Sequence, residues 1–171
     1  MTTYYTHLTS PAGPLQLVGD GEILQQLSFV TSAQVKQIPN HWIENTEPFI
    51  NCQAQLTAYF KGDLQQFEIP LLPKGTVFQL QILHQLQQIP YGTTCSYMDV
   101  ARAMGSPKAV RAVGAAMGRN PIAIIVPCHR VVGSNGCLTG FAGGLKTKAH
   151  LLQLEGSLNQ YKYHADTSPS A

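Results

Sequence analysis

Ile122-Ala123-Ile124-Ile125-Val126-Pro127-Cys128-His129-Arg130-Val131-Val132 is an apolar run that delivers a thiol, an imidazole and a guanidinium at three consecutive positions. Five apolar residues bounded by turn signals read as a buried strand or a buried extended segment. Such a segment rigidly holds the residue at its end, here a candidate nucleophile, Cys128. A thiol attacks as its thiolate, so at neutral pH it needs a base, a cation or a helix N-terminus beside it. His129 is adjacent in sequence, but neighbours on an extended segment point to opposite sides. A turn at Pro127 or a bridging water would join the pair. A histidine acting as a base is oriented by a third group. The second half of the chain offers three carboxylates, Asp99, Glu155 and Asp166, of which Glu155 closes a helix that comes after a glycine-rich loop and is the best placed. The bland alternative is a buried structural thiol beside a satisfied core imidazole.

Upstream of this stretch, helix signals crowd together. Thr76 with Gln79 and Ser96 with Asp99 have the spacing of capping boxes. The first opens a helix with a buried stripe of Phe78, Ile82, Leu83, Leu86 and Ile89, stopped by Pro90-Tyr91-Gly92. The second opens a short helix closed by Gly105, and Ser106-Pro107 starts another at once, with Pro at its first position. The pair reads as a helix-turn-helix. Its second helix is nearly all Ala, Gly and Val, with Arg111 the only charge between Lys108 and Arg119. It suits either close approach to another surface or tight interior packing with Arg111 reaching solvent. Downstream, Gly133-Ser134-Asn135-Gly136 is a hairpin-like turn. Gly140-Phe141-Ala142-Gly143-Gly144 is a loop whose backbone can lie against a ligand. A last amphipathic helix carries Leu145, Ala149, Leu151, Leu152 and Leu154, and residues 157–171 read as a frayed tail.

The first half is different in kind. Tyr4–Leu8, Leu15–Val18 and Ile23–Val30 are strand-like runs separated by Pro and Gly turns. Residues 31–47 carry no period and read as loop. Phe49, Cys52, Leu56, Tyr59 and Phe60 fall at helical spacing ahead of Gly62, and Leu64, Phe67, Ile69 and Leu71 suggest one more strand. Nothing in residues 1–72 carries chemistry. The expected organisation is an α/β protein in two parts. A small N-terminal α/β domain (1–73), a three-stranded antiparallel sheet with a helix, precedes a mostly helical C-terminal domain (74–157) with the helix-turn-helix, and a flexible tail (158–171) ends the chain.

Charge is uneven along the 171 residues. The first 85 hold three lysines against six carboxylates, net −3, and the rest hold eight Lys and Arg against three, net +5. A basic second half fits an anionic partner, though a solvated face would do the same. Four cysteines without a CxxC spacing argue against structural zinc. The N-terminus has neither a basic region nor a long apolar core, so an intracellular, reducing home is expected. That means cytoplasmic, or nuclear in a eukaryote, with no membrane contact.

Pro127-Cys128-His129-Arg130-Val131 resembles the active-site motif of the O6-alkylguanine-DNA alkyltransferases (methylated-DNA–protein-cysteine methyltransferases). Arg111-Ala112-Val113-Gly114-Ala115-Ala116-Met117 with Asn120-Pro121, Gly140-Phe141-Ala142-Gly143-Gly144-Leu145, and Leu151-Leu152 with Glu155-Gly156 resemble the family's recognition helix, hinge, pocket loop and closing helix. The resemblance spans nearly the whole chain, less specifically in the N-terminal half.

It implies DNA repair by irreversible transfer of an alkyl group from O6 of guanine to Cys128, without a cofactor or metal, by a monomer acting on double-stranded DNA. O4 of thymine is a possible second target. His129 would act through a water, oriented by Glu155, and Asn120 would fasten the hinge. Tyr97 would protonate the departing base at N3, and Arg111 would fill the gap left in the stack. Ala109, Val110, Gly114 and Gly143 would contact the DNA or line the pocket with Phe141. The carbonyls of Cys128 and Val131 would face the guanine amine, the N–H of Ala142 would face O6, and Ser134 would meet phosphate. Phe141 stands where many relatives carry Tyr, and Val110 is larger than the common Ala. The competing readings are a protein that recognises alkylated DNA as a damage signal and a thiol hydrolase with a Cys-His pair.

Overall fold

The computed structural model describes residues 2–133, 140–141 and 143–157. Expectations placed on Ser134, Ala142, most of the 133–136 turn and the 158–171 tail lie outside these residues. The chain divides into two compact units, Met1–Lys74 and Gly75–Ala171.

In the first unit, β1 (Tyr4–Ser10) and β2 (Gly13–Gly19) form an antiparallel hairpin, and β3 (Leu24–Phe29) extends the sheet antiparallel to β2. The hairpin turns at Gly13, whose φ of 121° only glycine adopts freely. The β2–β3 turn is an Asx turn, with Asp20 Oδ1 accepting the N–H groups of Glu22 and Ile23. Leu15, Leu17 and Leu27 from the sheet are fully buried, as are Leu56 and Tyr59 from α2 (Ile50–Phe60). Cys52 lies on the same buried stripe, and burial pushes its thiol up to about 12, so it is inert core.

The three-stranded antiparallel sheet is present with an addition. Residues 31–47, expected as loop, hold α1 (Ser32–Val35), opened by a Thr31–Gln34 capping box, and a two-residue strand, β4 (Ile43–Glu44), that pairs parallel to β1. The order is β3-β2-β1-β4. Conversely, the strand expected over Leu64–Leu71 reduces to one bridge between Leu24 and Leu71. Leu24 N–H donates to Pro70 and Leu72 N–H donates to Leu24, but Pro70 has no N–H with which to continue a ladder.

The second unit begins with α3 (Val77–Gln87), whose Thr76–Gln79 capping box is complete in both directions and whose Ile82, Leu83 and Leu86 are buried. A short strand, β5 (Cys95–Ser96), leads into α4 (Tyr97–Ala103) through the Ser96–Asp99 capping box. Gly105, at φ 74°, turns the chain, and a 3-10 turn at Pro107–Ala109 feeds α5 (Val110–Met117). α5 buries Val113, Ala116 and Met117 and exposes Arg111, Ala112 and Ala115, so small side chains and one cation form its outer face. β6 (Val131–Val132) pairs parallel with β5. α6 (Leu145–Leu154) packs Leu145, Ala149 and Leu152 against Val132 and ends at Glu155-Gly156, Gly156 taking φ 81°.

The segment leading to Cys128 corrects the sequence reading. It is buried as expected, with Ile122, Ile124 and Val126 at 1% exposure or less, but it is not extended. Ile125 N–H donates to Ala123 (2.7 Å) and Val126 N–H to Ile122 (3.2 Å), folding the run into a knee with Ile124 at φ 69°. Left-handed backbone costs a β-branched residue about 1–2 kcal/mol, so the surroundings must hold it there.

Candidate active site

Asn120 holds the knee. Its Oδ1 accepts the Ile122 N–H (3.0 Å), and its Nδ2 donates to the Val126 carbonyl (2.9 Å). The two contacts bridge the base of the bend, replacing ladder bonds that an extended strand would have made. The same Val126 carbonyl accepts the Cys128 N–H at 2.8 Å. Cys128–Arg130 then form a single 3-10 turn, closed by Arg130 N–H to Pro127 and Val131 N–H to Cys128. The alternation that would have sent Cys128 and His129 to opposite faces therefore does not apply.

His129 and Glu155 are buried, at 0% and 5% exposure. His129 Nε2 lies 2.7 Å from Glu155 Oε2. Arg130 grips the same carboxylate in a fork, Nε to Oε1 at 2.8 Å and Nη2 to Oε2 at 3.1 Å, and its Nη1 donates to the Ile89 carbonyl at 2.7 Å. Tyr91 lies under the guanidinium, 5.7 Å from centroid to Cζ, and its hydroxyl donates to Leu154 O. Burial alone would raise the Glu155 pKa, but hydrogen bonds and charge from His129 and Arg130 outweigh it and hold the carboxyl at about 2.

An ionised carboxylate only accepts, so His129 Nε2 carries the hydrogen. Burial is the largest influence on His129 and lowers its pKa; Glu155 pulls upward, and Arg130 and Lys148 push down. With Arg130 already balancing Glu155, the imidazole stays neutral. Nδ1 then presents a lone pair, and it is buried with no hydrogen-bond partner among the described residues. A neutral imidazole with a free Nδ1 and an anchored Nε2–H is a base aimed at whatever approaches Nδ1.

Cys128 is half-buried. Burial raises its pKa, and the Asn120 side chain and the Lys148 ammonium pull it back in part. The resting thiol thus keeps its proton and depends on the base beside it. Cys95 is raised to about 11 by burial and Asp99, with no cation pulling it back.

The structure brings together Cys128, His129, Glu155, Asn120 and Val131. Tyr97, the first residue of α4, sits with its ring near Gly114 of α5 and its hydroxyl near Gly140; a Cβ added at those glycines would lie 3.9 Å from the ring and 3.6 Å from the hydroxyl. Phe141 is buried, while Gly143, Ala109 and Val110 are half-exposed. Arg111 is exposed on α5. Two roles escaped the sequence reading: that of Arg130, which forks onto the Glu155 carboxylate, and that of Lys148, wholly buried in α6. Lys148 could have been found, because 145, 148, 149 and 152 share one helical stripe.

Fold and site together define a protein with a helix-turn-helix unit that carries a half-buried thiol beside a buried imidazole–carboxylate pair. Residues 77–157 match the family described as 6-O-methylguanine DNA methyltransferase, DNA binding domain, and residues 3–73 match its ribonuclease-like domain. A methylated-DNA–protein-cysteine methyltransferase of Methanosarcina acetivorans is 51% identical over 154 residues, 90% of this chain and 99% of that one. Its Mycobacterium tuberculosis counterpart is 46% identical, covering 90% and 93%. The crystal structure of Mycobacterium tuberculosis OGT in complex with DNA is similar, with a TM-score of 0.83 and 44% identity over 92% of this chain and 94% of that one. The chain belongs to the 6-O-methylguanine DNA methyltransferase family.

Proposed function

We propose that this protein repairs DNA by moving an alkyl group from O6 of guanine to Sγ of Cys128, once per molecule. The observation that carries the reading is the neutral His129, anchored through Nε2 on Glu155, with Nδ1 buried and unpartnered among the described residues, one residue from the thiol.

These groups dictate the step. Through a water, His129 Nδ1 takes the thiol proton as the sulfur attacks the alkyl carbon in line. The S–C bond forms as the C–O6 bond breaks. The base needs a proton to leave as guanine; Tyr97 gives its phenol proton at N3, and the proton held on His129 replaces it. Glu155 stabilises the transient imidazolium without changing protonation itself, while the Arg130 guanidinium opposes the imidazolium and favours release of its proton. The product at Cys128 is a thioether, which water does not cleave, so the protein is consumed.

O6 cannot be reached by the thiol inside a duplex, so the nucleotide must be rotated out. The outer face of α5, with exposed Ala112 and Ala115, can approach a minor groove closely, and Arg111 can occupy the space the base leaves. Cys128 and Val131 offer carbonyls to the guanine exocyclic amine. Phe141, with Gly143, walls the pocket, and Ala109, Val110 and Gly114 shape the DNA face. No helix among the described residues is long and apolar enough to cross a membrane. An intracellular, reducing location is proposed with the activity, because the chemistry needs a free thiol.

Titrating the protein with excess duplex bearing one O6-methylguanine tests the reading. Repair should stop at one lesion per protein. Repair continuing to many lesions would favour hydrolysis, and binding without loss of the methyl group would favour a damage sensor.

A further inference from the structure

Lys148 is the least expected group in the second unit. A lysine is almost never fully buried unless it is paired, yet this one is at 0% exposure. It lies in the first turn of α6, the positive end of the helix dipole, where a cation is disfavoured. Burial lowers its pKa to about 8, so the fold carries this ammonium at a cost. Its hydrogen bonds show what the cost secures. Nζ donates to the Val131 carbonyl at 2.7 Å and, more weakly, to the Gly140 carbonyl at 3.4 Å. Val131 and Gly140 are well separated in the sequence, so one ammonium ties two distinct stretches of backbone together. The Tyr97 ring lies beside it, 5.9 Å from centroid to Nζ. The titratable groups coupled to it electrostatically include Cys128 and His129.

We propose that Lys148 is a positioning residue that ties Val131 to Gly140 and fixes the Val131 carbonyl where it meets the exocyclic amine of the flipped guanine. This rests on the guanine-alkyl reading above. A carbonyl oxygen accepts two hydrogen bonds, so Lys148 occupies one lone pair and aims the other. The ammonium also polarises the carbonyl, strengthening it as an acceptor. Lys148 thereby makes the site selective for a base with an amine at that edge. A lysine acting only as filler or as a general attractor of anions would confer no such selectivity.

The test compares single-turnover alkyl transfer from two otherwise identical duplexes, one with O6-methylguanine and one with O6-methylhypoxanthine, which lacks the exocyclic amine. A site built around that hydrogen bond should favour the guanine by about tenfold or more. In Lys148→Met, which keeps the length of the side chain and loses the donors, the guanine rate should fall about tenfold. Loss of the ammonium also removes its pull on Cys128 for either substrate, so the hypoxanthine rate should fall too, but less than the guanine rate, and the preference should collapse to within about threefold. Thermal unfolding of Lys148→Met should be unchanged or later, since a buried charge is replaced by an apolar group. Should that variant fail to fold, Lys148→Gln, which retains one donor, should show an intermediate loss of preference. An equal fall on both substrates, or an unchanged preference in a folded variant, overturns the proposal. Wild-type protein that transfers a methyl group from neither duplex would sink the underlying reading instead.

Discussion

Replacing Glu155 with glutamine probes the site's electrostatics with almost no change in shape. The carboxylate accepts hydrogen bonds from His129 and twice from Arg130, at 2.7, 2.8 and 3.1 Å. Gln can accept from one partner but turns an N–H donor toward another, and it leaves the buried Arg130 without its counter-charge. Removing one partner from a buried ion pair costs about 3–5 kcal/mol. The lowered pKa expresses the same contacts: a carboxyl moved from 4.5 to about 2 gains about 3 kcal/mol in its ionised form.

The pH dependence has a definite sign. Glu155 has a folded pKa below its unfolded one, so its stabilisation is full above pH 4.5 and is lost as pH falls from there toward 2. His129 is also lowered, but as a base that folds neutral; it begins to erode stability as pH drops below 6.5. Wild-type stability should therefore decline in two acid windows. Glu155→Gln should lack the lower one and unfold roughly 6–20 °C earlier at neutral pH. Its alkyl transfer should slow by about 10²-fold or more, because the imidazolium loses its support. Calorimetry across pH and single-turnover rates on an O6-methylguanine duplex provide the readings. A variant with wild-type melting, the same acid profile and an unchanged rate would refute the assignment of Glu155 as the buried anion that anchors His129.

Neighbouring residues give three further outcomes. In Arg130→Met, Glu155 loses the guanidinium that balances it, so the imidazole pKa should rise and the acid limb of the rate profile should move toward neutrality; a limb that stays in place would remove Arg130 from the tuning of His129. Asn120→Ala strips the knee of both side-chain bonds, with an expected loss of about 1–3 kcal/mol in chemical denaturation and a slower reaction at Cys128. Arg111→Ala should slow transfer from a duplex about tenfold or more, by the loss of roughly 1–3 kcal/mol of support for the flipped state, while leaving reaction with free O6-alkylguanine base unchanged. Equal losses with duplex and free base would assign Arg111 to the chemistry rather than to extrusion.

Residues that act locally were readable in the sequence, and residues that act across distance were readable only in part. Thr76–Gln79 and Ser96–Asp99 declared their helices because a capping box is written in four consecutive residues. Gly105 and Gly156 declared the ends for the same reason. The 122–126 run was legible as buried but not as bent, since apolarity reports burial and says nothing of backbone direction; the bend depends on side-chain bonds from Asn120. Glu155 could be chosen as the partner of His129 by elimination among three carboxylates. That Arg130 shares this carboxylate could not be chosen so, because it depends on the 3-10 turn that swings residues 128–130 around one axis. β4 was invisible because two residues carry no period. Lys148 was hidden by its type, and only its place on the α6 stripe betrayed it.

The central claim is that Cys128 is the acceptor of the alkyl group, and intact-mass spectrometry with peptide mapping tests it most directly. After reaction with a duplex carrying O6-methylguanine, the protein should gain the mass of CH2, a methyl group replacing the thiol hydrogen of Cys128, with an equal amount of guanine restored in the DNA. Restored guanine with no added mass, or a methyl group on Cys52, Cys95 or Cys137 instead, would contradict the account.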